Sequence, residues 1–260
     1  MPIEDAQSGF NAIFLLFPLV LAAVLGFAIW SYQQGRKRTE AMQATAAANG
    51  WQWLGEANSY VDAWSCPPFG TGQVRRVSDA VRGTYRGAPF LAFGYRYYTE
   101  STQTDANGQS QTTRHNHSFD VAVLEVRANL PDLHLSPEGT MARIVDAVTG
   151  GDIDLESDAF NRMFRLRCVD KKFAFDTFHA RTMEYLLARG RVRFDISNGD
   201  VVMSRQSSGH DPTIWGPGDD TVPVAQGDAP LDVMLTVLLG IPDFVWQDRG
   251  GRPVTVPRVA

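Results

Sequence analysis

Five histidines and two cysteines are the side chains whose placement could carry chemistry. His115 and His117 stand two apart in Arg114-His115-Asn116-His117. On a strand, residues two apart share a face, so both imidazoles would point the same way. A zinc site needs at least a third protein ligand. His134, His179 and Asp120 are the candidates, and no spacing nominates one. The nuclease motif spelled H-N-H disperses its residues over a hairpin and a helix, so this contiguous run is not read as one.

Ser207-Ser208-Gly209-His210-Asp211 holds the residue types of a hydrolase triad. Triad members come together from separate segments, and the chain has no G-x-S-x-G elbow. The run reads as a turn. Asp152, Asp154, Glu156 and Asp158 alternate as on one face of a strand that ends in a helix cap at Ser157 and Asp158. A cation site is weighed there against a solvated face, and the solvated face is the reading. Cys66 precedes Pro67-Pro68 in a loop. Cys168 alternates with Arg165 and Arg167 alongside Phe164 and Leu166, and reads as core. Two cysteines make neither a zinc finger nor a disulfide framework. Gly70-Thr71-Gly72 lacks a preceding strand and a third glycine, so it is no phosphate-binding fingerprint. No catalytic, cofactor-binding or metal-ligating residue is assigned, and no cofactor is expected.

The chain carries 24 Lys and Arg against 29 Asp and Glu. Arg36, Lys37 and Arg38 precede the bulk of the chain, which is more acidic still. A nucleic-acid surface needs a basic field to neutralise phosphates, so nucleic acid is excluded as a partner.

The elements that must position these side chains follow from periodicity. Val81–Tyr85 and Phe90–Tyr98 flank Arg86-Gly87-Ala88-Pro89 as a hairpin. In its second arm Leu91, Phe93, Tyr95 and Tyr97 share a face. Residues 99–116 are polar and turn-rich and are read as a mobile loop, the expected contact element. Phe119–Val126 is apolar on both faces, as in a central strand covered on both sides. Ser136-Pro137-Glu138 reads as a helix start, with a helix near 138–149. A strand restarts at 153–155. Helices follow near 179–189 and 230–240. Between them Asn198-Gly199 closes a hairpin that brings Val201 opposite Ile196. Residues 206–228 read as loop. No regular βαβ alternation occurs, so the expected fold class is α+β: antiparallel, hairpin-built sheet with packed helices.

Residues 12–30, AIFLLFPLVLAAVLGFAIW, are uncharged throughout. At the helical rise they extend about 28 Å, near the hydrocarbon thickness of a bilayer. Trp30 and Tyr32 suit an interfacial belt, and Arg36, Lys37 and Arg38 follow while no base precedes. The expectation is a lipid bilayer contacted through residues 12–30, the N-terminus outside and the rest cytoplasmic. The division expected is a tail at 1–9, a membrane helix at 10–33, a helical stalk at 34–49, a cytosolic domain at 50–250 and a tail at 251–260.

The run from Glu156 to Asp170, ESDAFNRMFRLRCVD, followed by Met183-Glu184-x-Leu186-Leu187 and the 192–204 hairpin, resembles a family of bacterial single-pass membrane-anchored proteins of unknown function. Gly83-Thr84-Tyr85-Arg86-Gly87 and the aromatic strand after it are similar to that family too. The resemblance implies a fold and no site residues. The functional expectation is a tethered binding or scaffold module with a protein partner. The alternative is a membrane-anchored hydrolase whose site is not visible in sequence.

Overall fold

The computed structural model describes residues 5–104, 108–138, 151–190, 192–207 and 230–253. The chain divides into two units, Met1–Thr45 and Ala46–Ala260. Helix α1, Asp5–Ala48, accounts for the first unit and contains residues 12–30. Arg36 pairs with Glu40 one turn on, at 3.1 Å. The side chains of residues 1–19 lie outside the description, and among the described residues no helix is long and apolar enough to cross a membrane. The helix stops where Gly50 takes φ +68°, a backbone that glycine adopts without cost. The N–H of Trp51 there bonds Ala46 O at 2.7 Å.

The second unit is α+β. Its strands are β1 (Gln52–Gly55), β2 (Gln73–Tyr85), β3 (Ala88–Thr104), β4 (Ser110–Leu124), β5 (Leu133–Pro137), β6 (Phe164–Cys168), β7 (Phe194–Ser197) and β8 (Asp200–Gln206). They form one sheet in the order β1-β2-β3-β4-β8-β7-β5-β6. Every pairing is antiparallel. Arg86 and Gly87, both at positive φ, turn β2 into β3, and Asn198 and Gly199 turn β7 into β8 with Ile196 opposite Val201. Helices α2 (Asp158–Met163), α3 (Lys171–Thr177), α4 (Ala180–Arg189), α5 (Pro230–Gly240) and α6 (Asp243–Gln247) complete the unit.

Alternation along the strands sends side chains into two cores. One face gives Phe90, Leu124, Leu135, Phe194 and Val201 to a large core with Phe160, Phe173, Leu186, Leu235 and Trp246 of the helices. The other gives Val77, Phe93, Tyr95, Val121 and Val202 to a smaller core, closed by Trp64, Cys66 and Phe69 from the segment between β1 and β2. Strand β4 is therefore covered on both sides, which explains why Val121–Leu124 is apolar at consecutive positions.

Three expectations change. Residues 99–104 and 110–116 are strand and not loop: β3 and β4 pair one-to-one from Thr99↔His115 to Thr104↔Ser110. Their threonines favour extended backbone, and hydroxyls bond across the pair, Thr102 to Thr112 at 3.1 Å and Thr104 to Ser110 at 3.0 Å. Ser136 and Pro137 do not start a helix: they end β5, opposite Arg165 and Phe164. Strand β7 reaches only Leu135, so on that side the missing N–H of Pro137 deprives no partner. The helix expected at 138–149 falls, from residue 139 on, outside the described residues. Residues 153–155 form no strand. Asn161 satisfies the backbone of Leu155 in both directions, at 3.0 and 2.8 Å, in place of a ladder.

Candidate functional site

The β3–β4 pair outruns its neighbours. Strand β2 pairs with β3 only as far as Gln73↔Tyr98, and β8 with β4 only as far as Gln206↔Phe119. Beyond those points β3 and β4 stand as a two-stranded ribbon, exposed on both faces from Glu100 to Thr104 and from Ser110 to Asn116. Both sequence-nominated histidines are on it. His115 and His117 do share a face, continuing the row of Phe119, Val121 and Val123. Each is engaged by a hydroxyl across the pair: His117 Nε2 with Thr99 Oγ1 at 2.9 Å, His115 Nε2 with Ser101 Oγ at 3.0 Å. Tyr97 stacks on His117, centroids 4.8 Å apart, and on Phe119 at 5.8 Å. On the opposite face Arg114 lies 4.0 Å over the Tyr98 ring and bonds Glu100 at 3.1 Å. The ribbon is thus a regular display of hydroxyls, imidazoles and one ion pair, built on strands anchored in both cores.

None of the candidate third ligands joins the two histidines. His134 is buried on β5. His179 precedes α4, where its Nε2 meets Gly240 O at 3.0 Å. Asp120 is buried on the opposite sheet face from His117. Among the described residues no group of three metal-ligating side chains could hold an ion. The alternating carboxylates also disperse. Asp152 pairs with Arg167 at 2.7 Å, and Asp158 enters α2 behind its cap Ser157. Ser207 donates its N–H to Ser118 O at 2.9 Å, while residues 208–211 lie outside the described residues.

Sequence spacing does not disclose a second polar cluster, beneath the segment between β1 and β2. His134 and Asp195 are sixty-one residues apart yet directly opposite on β5 and β7, and His134 Nδ1 is hydrogen-bonded to Asp195 Oδ1. Arg193 Nε reaches the other carboxylate oxygen at 3.4 Å. The covering segment is fixed over them. Ser65 N–H donates to Ser197 Oγ at 2.9 Å, Asn198 Nδ2 to Ala63 O at 2.7 Å, and Trp64 Nε1 to Asp200 Oδ2 at 3.2 Å. Alternation of His134 with Leu133 and Leu135, and of Asp195 with Phe194 and Ile196, marks both as facing away from the large core. That the second face is also covered is a tertiary fact.

The cluster has the parts of a His–Asp dyad but not its access. His134 Nε2, the atom that would meet a substrate, is buried and without a hydrogen-bond partner. Burial, then the charge of Asp195, pushes the Cys66 thiol well above its usual range. A nucleophilic thiol needs the opposite shift. Burial likewise moves Cys168 up to about 11, in keeping with a core residue. A surface cavity of about 590 Å³ lies elsewhere, between the end of α5 and α6, lined by Gly240, Asp243, Trp246, Gln247 and Arg252 among others.

No family model matches this chain, and no curated protein does. The family resemblance therefore rests on the residues quoted for it. Among solved structures, the crystal structure of the mycobacterial trehalose monomycolate transport factor A, TtfA, is similar at 10% sequence identity and a TM-score of 0.44, over 86% of this chain and 97% of that one.

Proposed function

We propose that this chain is a membrane-tethered binding module whose contact element is the β3–β4 ribbon. The observation that carries the reading is the ribbon itself. It projects exposed polar side chains on both faces from a scaffold packed on both sides, whereas the His134–Asp195 pair is sealed. Recognition carried by an exposed element on a rigid sheet is the common arrangement. In this reading residues 12–30 hold the chain in the bilayer, with the N-terminus outside and residues 50–250 in the cytoplasm. The uncharged run supports it, as do the exposed Leu21, Leu25, Phe27, Ile29 and Trp30 on α1, which favour lipid over water. The domain works without metal or cofactor.

The test uses the full chain extracted from membranes. Proteins captured by it are compared with those captured by a variant lacking residues 100–114, with bound metal measured by elemental analysis. The reading expects loss of specific capture in the variant. Unchanged capture, or stoichiometric zinc, refutes it. A reporter fused after Ala260 tests the orientation, with a cytoplasmic signal expected. The hydrolase alternative has one observation in its favour, the polar cavity beside α6. Turnover of generic ester or phosphate substrates, abolished by Arg252→Ala, would support it.

A further inference from the structure

We infer that the outer edge of β3, Glu100–Thr104, pairs with the same edge of a second copy of this chain, so that two ribbons join as one four-stranded sheet. The inference rests on the reading of the ribbon as contact element and names its partner.

The other ends of the sheet are closed or shortened. Strand β1 is four residues long, with a register shift between Trp53 and Gly55. Strand β6 is flanked by residues 152–153: Asp152 bridges Arg167, and Ile153 N–H donates to Leu166 O at 2.8 Å. The two edges of the ribbon are different, and that of β3 carries a single charge, whereas the Ser110–His117 edge of β4 carries Arg114 and both histidines. Gly72, at φ +71°, lies so close to Tyr97 and Tyr98 that a Cβ there would sit 2.2 Å from the Tyr97 ring and 2.7 Å from Tyr98 O. The chain turns in at that point, and among the described residues no strand lies beside Glu100–Thr104.

Natural edges are usually blunted by lysine, proline, a bulge or an inward charge. Glu-Ser-Thr-Gln-Thr has none of these. Its register with β4 is unbroken, and its one charge is already engaged by Arg114. A two-stranded ribbon is also marginal alone in water, and added strands stabilise it. The edge is self-complementary. An antiparallel pair about a two-fold axis normal to the sheet keeps each side chain on its own face, so residues of equal parity oppose. With the axis at Thr102, Thr102 faces its copy, Ser101 faces Gln103 and Glu100 faces Thr104. No like charges meet, and hydroxyl pairs of the kind already seen at Thr102–Thr112 repeat across the joint. Such a contact is isologous and closes at two copies. Five residues a side make a small interface, so confinement in a bilayer supplies the effective concentration.

The test places Thr102→Cys in the full chain, in vesicles at low protein-to-lipid ratio, under mild oxidant. The native Cys66 and Cys168 are buried. Directly opposed strand residues fall within disulfide range, so a covalent dimer is expected. Thr112→Cys, one strand further from the axis on each copy, should give little. Adding Ser101→Lys and Gln103→Lys, which oppose lysines across the joint, should cut the Thr102→Cys dimer by tenfold or more without changing the thermal melt. No dimer from Thr102→Cys, equal yield from Thr112→Cys, or indifference to the lysines overturns the pairing. If Thr102→Cys instead links to a different protein and not to itself, the second-copy pairing fails while the contact reading stands. Retention of the chain in membranes after alkaline washing reads the tether independently.

Discussion

From Phe90 to Tyr95, β3 is buried on both faces; from Glu100 to Thr104 it is exposed on both, and its pairing with β4 passes from one half to the other without a register shift. In the lower half, order comes from burial. Phe93 lies against Tyr60, Trp64 and Phe69, with centroids 5.9 Å from Trp64. In the upper half nothing is buried, and order comes from backbone pairing and hydroxyl contacts. Strand regularity thus has two separate sources within one pair of strands, and only one of them is a stability reservoir. An element can be geometrically regular and energetically light, so that it can open without unfolding its support.

The largest break in this comparison is Phe93→Ala. Phe93 is fully buried, and its removal leaves a cavity between the sheet and its covering segment. The expected loss is about 3–5 kcal/mol, read as a lower urea midpoint of the full chain, with Cys66 becoming reactive to a thiol reagent. A loss below about 1 kcal/mol would mean that the covering segment is not a packed layer.

Next in size is Gly72→Ala, at the junction of the halves. The new Cβ meets a ring and a backbone oxygen, and the backbone is left-handed there, so destabilisation of roughly 1–3 kcal/mol is expected. Because Gly72 lies against Tyr97 and Tyr98, the cost should appear together with faster amide exchange at Tyr98 and Thr99. A neutral outcome would show that β2 does not clamp the base of the ribbon.

What the sequence displayed follows the same division. The lower half is legible: Leu91, Phe93, Tyr95 and Tyr97 alternate, and the turns at Arg86-Gly87 and Asn198-Gly199 carry their own chemistry. The upper half is polar throughout, a composition shared by loops and exposed ribbons, although Asn107-Gly108 is a hairpin dipeptide in sequence and the threonines beside it favour strand. Ser136-Pro137 is ambiguous in sequence because a capping pair and a strand end present the same residues. The difference lies in where β7 stops, which no local spacing encodes. His134 and Asp195 were invisible as a pair because their meeting depends on β5 lying beside β7. Composition and alternation report burial on one face; the covering segment at 57–69 supplies the other.

The lower half also holds two carboxylates with opposite pH behaviour. Burial works to raise Glu125, but hydrogen bonds and charge from Arg82 and Arg127 prevail and hold it below its ordinary 4.5. Its contribution is therefore present above 4.5 and lost as pH falls through the lower folded value. Burial raises Asp200 above its ordinary 3.8, against the N–H donors of Arg127 and Trp64. The folded state then holds that proton longer than the unfolded one, so stability falls as pH rises from 3.8 through the raised value, and is flat above it. Glu125→Gln should flatten the loss of stability on the acid side. Asp200→Asn should remove the opposing slope. Urea midpoints between pH 3 and 6 read both, and parallel profiles for the two variants would contradict the assignment.

The smallest effect belongs to the ribbon. Thr102 and Thr112 face each other across the pair, their hydroxyls 3.1 Å apart and open to water. Such an exposed cross-strand pair is worth roughly 0.2–1 kcal/mol against alanine. Thr102→Ala and Thr112→Ala should each lower the global stability read from urea unfolding by less than about 0.5 kcal/mol, because surface positions away from special backbone rarely cost more. The two together should cost about as much as either alone, since the first substitution already removes the shared contact. The distinction from the lower half is then one of kind. Local amide protection from Glu100 to Thr104 should fall in the double variant while protection from Phe90 to Tyr95 stays unchanged, so the upper half opens without the lower. Global destabilisation of several kcal/mol by Thr102→Ala would mean that the ribbon helps hold the core, and the separation of display from scaffold would be wrong.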